Sequence, residues 1–270
     1  MRVYVAAVYL FLYAPIALIV LFSFNAGRYA ADLQGFSTVW YGRALVNPFV
    51  LEALWTSLVV GLTSAVLATL FGTMASLGLQ RVHGWLRTLF DVLVYVALMI
   101  PGIVIGIATL VALVTVFDLL NPTLATLWPA ALGQPPRLRL GLGSLIAAHT
   151  LFNMALAVLI VRARLAGMDR SLVEASMDLY ATPWATFRQI TLPQLVPAIV
   201  ASLLLAFTFS FDDFVIAFFV AGSNTTLPIY VFSSIRRGVT PEINAIGTLV
   251  LAVSLALMVT AQLLLRDRRR

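Results

Sequence analysis

The chain has no cysteine and no lysine, two histidines, and only 10% charged residues among its 270. Without cysteine there is no disulfide, iron–sulfur cluster or thiolate zinc site. Without lysine there is no G-x-x-x-x-G-K-[ST] phosphate loop, so the chain is not itself a Walker-type ATPase. His83 and His149 stand far apart in sequence with no cysteine to join them, which argues against a metal site. No H-E-x-x-H, G-x-S-x-G or dinucleotide fingerprint occurs, and Gly141-Leu142-Gly143 lacks the third glycine. A soluble domain carries about 25% charged and roughly 45–50% apolar residues. Here 61% are apolar, more than a single water-soluble core can hide. The composition specifies an integral membrane protein rich in helices. All 17 basic residues are arginine and the net charge is +6, which in this class records the positive-inside rule rather than nucleic-acid binding.

Six apolar stretches are long enough for a bilayer core of about 30 Å, which takes roughly 20 helical residues. They fall near 3–24, 55–79, 89–117, 144–161, 197–220 and 243–265. The first follows a minimal charged start, Arg2, and is too long for a signal-peptide core, so it is expected to be a retained anchor. With the N-terminus inside, the inner segments hold Arg2, Arg81, Arg87, Arg162, Arg164, Arg170, Arg188, Arg266 and Arg268–Arg270, against six arginines outside. That bias places both termini in the cytoplasm. The outer segment 118–143 carries Pro122, Pro129, Pro135 and Pro136 and is expected to be mostly irregular. The expected fold is all-α: one polytopic domain over 1–270, with six transmembrane helices.

The longest inner segment, 162–196, is the most informative. Ser171-Leu172-Val173-Glu174 has capping-box spacing and predicts a short helix from Leu172. Thr182-Pro183 predicts a second, with proline at the first helical position. Leu172, Val173, Ala175, Leu179, Trp184 and Phe187 are too many apolar side chains for so short a segment to bury, so they rest on the bundle or fit a partner. Glu174 either completes the capping box or touches that partner; both readings stand.

Glu174-Ala175-Ser176, three residues, Tyr180, nine residues and Ile190-Thr191-Leu192-Pro193 resemble the E-A-A-x3-G-x9-I-x-L-P signature of permeases of ATP-binding-cassette importers. The spacing agrees at every anchor. Ser176 replaces alanine, and Tyr180 stands where the family has a glycine that serves a left-handed turn. A tyrosine there would cost on the order of 1–2 kcal/mol. Gly35-Phe36-Ser37-Thr38-Val39-Trp40-Tyr41, Phe211-Asp212-Asp213-Phe214, Thr240-Pro241-Glu242-Ile243-Asn244-Ala245 and Arg266-Asp267 extend the likeness over nearly the whole chain, which is similar to the second permease of spermidine/putrescine importers. The resemblance implies a type I importer (MetI-like) permease fold in the bacterial inner membrane. It also implies a second homologous permease, two ATPase subunits that bind ATP and magnesium, and an extracytoplasmic substrate-binding protein. It implies no cofactor on this chain, and an ATPase-coupling site at Glu174, Ala175, Ser176, Asp178, Tyr180, Ile190, Leu192 and Pro193.

Asp212 and Asp213 lie within an otherwise apolar stretch. Each buried charge costs roughly 2.5–3.5 kcal/mol on insertion scales, so an idle pair is not expected. Adjacent helical residues point about 100° apart, and their roles should differ. Asp213 shares its face with Ser202, Ala206, Ser210 and Ala217, a stripe suited to close helix packing. Asp212 shares its face with Leu205, Thr208, Phe209, Ile216 and Phe219, where a carboxylate, a hydroxyl and aromatic rings suit an alkylammonium group. The alternative is that Asp212 pairs with an arginine or amide of a partner. Glu242 could meet a cation or the binding protein, or only complement a helix N-terminus. His149 and Asn153 could line a pore or make an interhelical hydrogen bond. Trp40, Tyr41 and Trp55 are expected as interface aromatics, and Gly102 and Gly106, after Pro101, as packing and a kink.

The expected function is therefore a permease subunit for a small cationic solute of polyamine type, embedded in lipid, with ATP hydrolysed elsewhere. The alternatives are the same machine for another organic solute or metal complex, or a self-sufficient secondary transporter, which would have no need of the 174–193 signature.

Overall fold

The computed structural model describes residues 1–29, 32–129, 133–169 and 171–267, with side chains described to residue 256. Arg170 and Arg268–Arg270, four of the arginines expected on the inner side, lie outside the described residues. The chain runs through α1 (Arg2–Ser23), α2 (Val39–Val46), α3 (Pro48–Leu79), α4 (Trp85–Met99), α5 (Gly102–Leu127) and α6 (Leu142–Ala166). It continues through α7 (Ser171–Asp178), α8 (Pro183–Thr186), a π-helical turn (Phe187–Thr191), α9 (Leu192–Asp212), α10 (Val215–Val220), α11 (Leu227–Ile235) and α12 (Pro241–Asp267). Among the described residues, five helices are long and apolar enough to cross a membrane: α1, α3, α5, α6 and the continuous rod Pro183–Asp212. The apolar part of α12, Pro241–Ala256, is shorter.

The helices form two compact units, Met1–Ala53 with Ile229–Arg270, and Leu54–Pro228. In the first, α1 and α2 both pack on α12. Its connecting loop is organised by Asn25, fully buried, whose amide donates to the Tyr29 and Asp32 carbonyls and whose Oδ1 accepts from Gly27 and Gln34 N–H. Trp40 donates its indole N–H to the Asn25 carbonyl, and the Tyr41 hydroxyl meets Ser23 Oγ at 2.6 Å. These two aromatics are therefore tied to the fold rather than simply seated at the interface.

In the second unit α6 is central, packing on α4, α9 and α10, while α5 packs on α10. Small residues permit the close approaches. A Cβ on Gly72 would fall 2.6 Å from that of Ala157, and one on Gly106 would fall 2.6 Å from the Phe219 ring.

Three expectations change. The stretch 89–117 is two helices, because Ile100 is extended (ψ 134°) ahead of Pro101, whose ring disfavours helical geometry in the preceding residue. Residues 118–127, expected to be irregular, continue α5 with Pro122 inside it; one missing N–H deprives only the carbonyl of exposed Asp118. The stretch 197–220 is not one helix: α9 ends at Asp212, Asp213 is extended (ψ 118°), and α10 begins at Val215. Asp212 thus closes a helix instead of sitting within one.

Candidate functional site: a corner between two short helices and a broken carboxylate helix

The corner between α7 and α8 is built by local hydrogen bonds. Asp169, not the Ser171 capping box, secures the start of α7: its Oδ1 accepts from Ser171 N–H at 2.9 Å. The Ser171 backbone and side chain together hold the Asp169 carboxyl below the usual carboxylate range. At the other end, Ala181 N–H reaches the Ser176 carbonyl at 3.0 Å and Tyr180 N–H the Met177 carbonyl at 2.9 Å. That pair is a Schellman closure, which needs a left-handed residue at Tyr180. Tyr180 has φ +58°, the one positive value outside glycine among the described residues. The tyrosine takes up the glycine's geometry. Thr182 then caps α8 by accepting from Ala185 N–H at 3.3 Å, with Pro183 in the first turn.

Ser176 is buried and its hydroxyl meets Thr186 Oγ1 at 2.9 Å, joining α7 to α8. Ser176, where the signature has alanine, thus gains a partner in Thr186, which no motif in the sequence marks. Glu174, Ala175 and Asp178 are exposed. The Glu174 carboxylate makes no hydrogen bond among the described residues, and with Arg87, Arg162, Asp169 and Met177 it lines a cavity of about 900 Å³. Nearby, Arg162 pairs with Asp91. Leu179, Trp184 and Tyr180 are 81%, 68% and 95% exposed, so the bundle does not cover them. Ile190 lies in the π-helical turn and Leu192 and Pro193 open α9. Pro193 has no N–H to donate; Leu192 N–H instead reaches five residues back to the Phe187 carbonyl, and the rod continues unbroken.

The far end of that rod carries the second site. Asp212 is exposed, on the face that also exposes Leu205, Thr208 and Phe209. Thr208 donates its hydroxyl to the Leu204 carbonyl, leaving its oxygen as an acceptor. Ile216 and Phe219 leave this face because the helix breaks; Ile216 is buried. On the opposite face Ser202, Ala206, Ser210 and Ala217 are all buried, as their small size suggests. Asp213 turns inward, and its Oδ2 accepts the Ala217 N–H at 3.0 Å and lies 3.5 Å from His149 Nε2. His149 is buried, and its Nδ1 meets Ser210 Oγ at 2.6 Å. Ser64 Oγ donates to Ser210 at 3.0 Å. His149 therefore makes the interhelical bond, not a pore lining. Ser210, His149 and Asp213 have the residue types of a hydrolase triad, but the Ser210 hydroxyl is buried and shared with Ser64, so it is not an accessible nucleophile. Glu242 belongs to the other unit, where its Oε1 accepts from Asn47 Nδ2 at 2.8 Å in the first turn of α12. No group of three or more metal-ligating side chains occurs among the described residues.

Residues 68–268 match the family described as binding-protein-dependent transport system inner membrane component. The chain is 34% identical over 268 residues to the spermidine/putrescine transport system permease protein PotC of Escherichia coli K12, covering 99% of this chain and 94% of that protein. It is 39% identical over 244 residues to the putrescine transport system permease protein PotI of the same strain, covering 89% and 82%. Among solved structures, a bacterial ABC transporter involved in import of the acidic polysaccharide alginate superposes with TM-score 0.72 at 16% identity, over 97% of this chain and 92% of that one. The MetNI methionine ABC transporter gives 0.59 at 17% identity, over 80% and 94%. At that identity the likeness is one of fold.

Proposed function

Because the chain belongs to the family of binding-protein-dependent transport system inner membrane components, we propose that it is the permease of an ATP-driven polyamine importer that works with a second, homologous permease. The whole chain, 1–270, acts as one permease domain with six membrane crossings, α12 being the sixth, and both termini in the cytoplasm. An extracytoplasmic binding protein delivers the cargo and two ATPase subunits supply the energy. The observation that carries the cargo is the 34% identity to a spermidine/putrescine permease over 99% of the chain.

The exposed corner at Glu174, Ala175, Asp178, Leu179, Tyr180 and Trp184 offers its unburied apolar surface and acidic groups to an ATPase subunit. Ser176, Ile190, Leu192 and Pro193 hold the corner and join it to the rod. Pro183–Asp212 is 30 residues long, about 45 Å at 1.5 Å per residue. A push on α8 therefore arrives at Asp212 without a hinge. There the carboxylate, with Phe209 and Thr208, binds an alkylammonium group by a charged hydrogen bond and a cation–π contact. Asp213 supports the break, and Glu242 braces the first turn of α12 through Asn47.

The test compares Asp212→Asn with Asp213→Asn by uptake of labelled putrescine and spermidine per folded complex. Losing a charged hydrogen bond is worth roughly 1.5–3 kcal/mol, about 10- to 150-fold at that step. Asp212→Asn is expected to lose uptake with assembly intact, and Asp213→Asn to lose mainly yield. Equal uptake defects in fully assembled complexes would refute the division. Failure of the wild-type complex to take up either polyamine would remove the cargo.

A further inference from the structure

The break between α9 and α10 is held by a residue from a different helix. Ser64 on α3 donates to Ser210 on α9, and Ser210 meets His149 on α6, which faces Asp213 at the break. The carboxylate decides the tautomer. A bare lone pair on Nε2 would confront Asp213 Oδ2 at 3.5 Å, so the proton resides on Nε2 and Ser210 donates to Nδ1. The hydroxyl donors then run one way, Ser64 to Ser210 to His149 Nδ1, while the Nε2–H faces the Asp213 carboxylate across 3.5 Å as an electrostatic contact and not a hydrogen bond. Asp213 Oδ2 also takes the Ala217 N–H, in the first turn of α10. His149 and Asp213 thus hold both sides of the interruption: Ser210 in the last turn of α9, and α10 through the shared carboxylate. Asp212, between them, has its backbone direction fixed by this arrangement and its side chain left on the exposed face.

We infer that His149 is a positioning residue of the transport path, which fixes the interruption between α9 and α10 so that Asp212 is presented to the cargo. The inference rests on the proposed role of Asp212 in that path. It does not have His149 touch the cargo: the imidazole is 2% exposed.

The absence of cysteine in this chain allows a direct test in the assembled importer in proteoliposomes, with any cysteines of the partner subunits replaced and the importer without the introduced thiol as the background control. Phe211→Cys, in the last turn of α9, supplies a thiol whose reaction rate with a methanethiosulfonate reagent reports the local geometry. It is combined with His149→Leu, which removes both polar contacts at similar size, and with His149→Gln, whose amide can accept from Ser210 and donate toward Asp213. Putrescine uptake and ATP hydrolysis are measured on the same histidine variants without the thiol. His149→Leu is expected to lower uptake per ATP hydrolysed by roughly 3- to 10-fold, the worth of about one hydrogen bond, and to shift the thiol reaction rate severalfold. His149→Gln should restore both. If His149→Leu lowers uptake and ATP hydrolysis in parallel, with thiol reactivity unchanged and no rescue by glutamine, histidine is only core packing and the inference falls. If His149→Leu does not assemble, His149→Gln and Ser210→Ala carry the test: the first must behave as wild type and the second must shift the thiol rate. Asp212→Asn separates the two ideas. Normal uptake in Asp212→Asn with a shifted thiol rate in His149→Leu removes Asp212 from the path but keeps the positioning. Lost uptake in Asp212→Asn with wild-type behaviour in His149→Leu does the reverse.

Discussion

Replacing Tyr180 by glycine should tighten the corner between α7 and α8, although it deletes a large side chain. Tyr180 holds φ +58°, where an L-residue suffers a Cβ clash of about 1–2 kcal/mol. Glycine relieves it and returns about 0.5–1 kcal/mol through its larger loss of backbone freedom on ordering. The ring is 95% exposed, so its removal forfeits almost no burial within this chain. The net gain is about 1 kcal/mol, or fivefold in the closing equilibrium of the corner. Hydrogen exchange reads this locally, since the Tyr180 and Ala181 amides make the two closing bonds. Both should exchange about five times more slowly in Tyr180→Gly when opening limits exchange. Tyr180→Ala retains the strained conformation without the ring and should exchange at the wild-type rate within about twofold. If alanine and glycine slow exchange equally, the ring and not the backbone was the burden. Faster exchange in the glycine variant would refute the strain altogether.

Other outcomes follow from single contacts. Ser176→Ala should weaken the α7–α8 tie by about 1–2 kcal/mol, because it strands buried Thr186 Oγ1, whereas Ser176→Ala with Thr186→Val should recover most of it in the same exchange experiment. Gly222→Ala places a Cβ 2.4 Å from the Leu140 carbonyl oxygen at φ +58°, and should cost about 2–5 kcal/mol, read as loss of folded complex on size exclusion. Glu174→Arg should leave the protein inserted but reduce co-purification of the ATPase; wild-type transport and co-purification would defeat that reading.

Much of the α7–α8 corner was legible because its determinants are local. Thr182-Pro183 starts α8 through a cap three residues away, and the left-handed turn at Tyr180 closes bonds within six residues. The π-helical turn before Pro193 is also local, yet it escaped notice because a missing N–H specifies that something must adjust without specifying how. The exchange of Asp169 for Ser171 at the start of α7 is similar: both residues suit the position, and geometry chose between them.

The sequence by itself determined the class of the protein, since an apolar excess, sparse charge and the 174–193 spacing leave little else for such a chain to be. It also determined which face of α9 is small and packed, because side-chain size repeats with the helical period. Only the tertiary structure decided that α9 stops at Asp212. A helix propagates through bonds between near neighbours, so an apolar run reads as continuous from inside itself. At the break His149, more than sixty residues earlier in the chain, faces Asp213 at 3.5 Å just as that carboxylate accepts the Ala217 N–H. A contact across that separation comes from the packing of α6 on α9 and α10, and no window of sequence contains both partners.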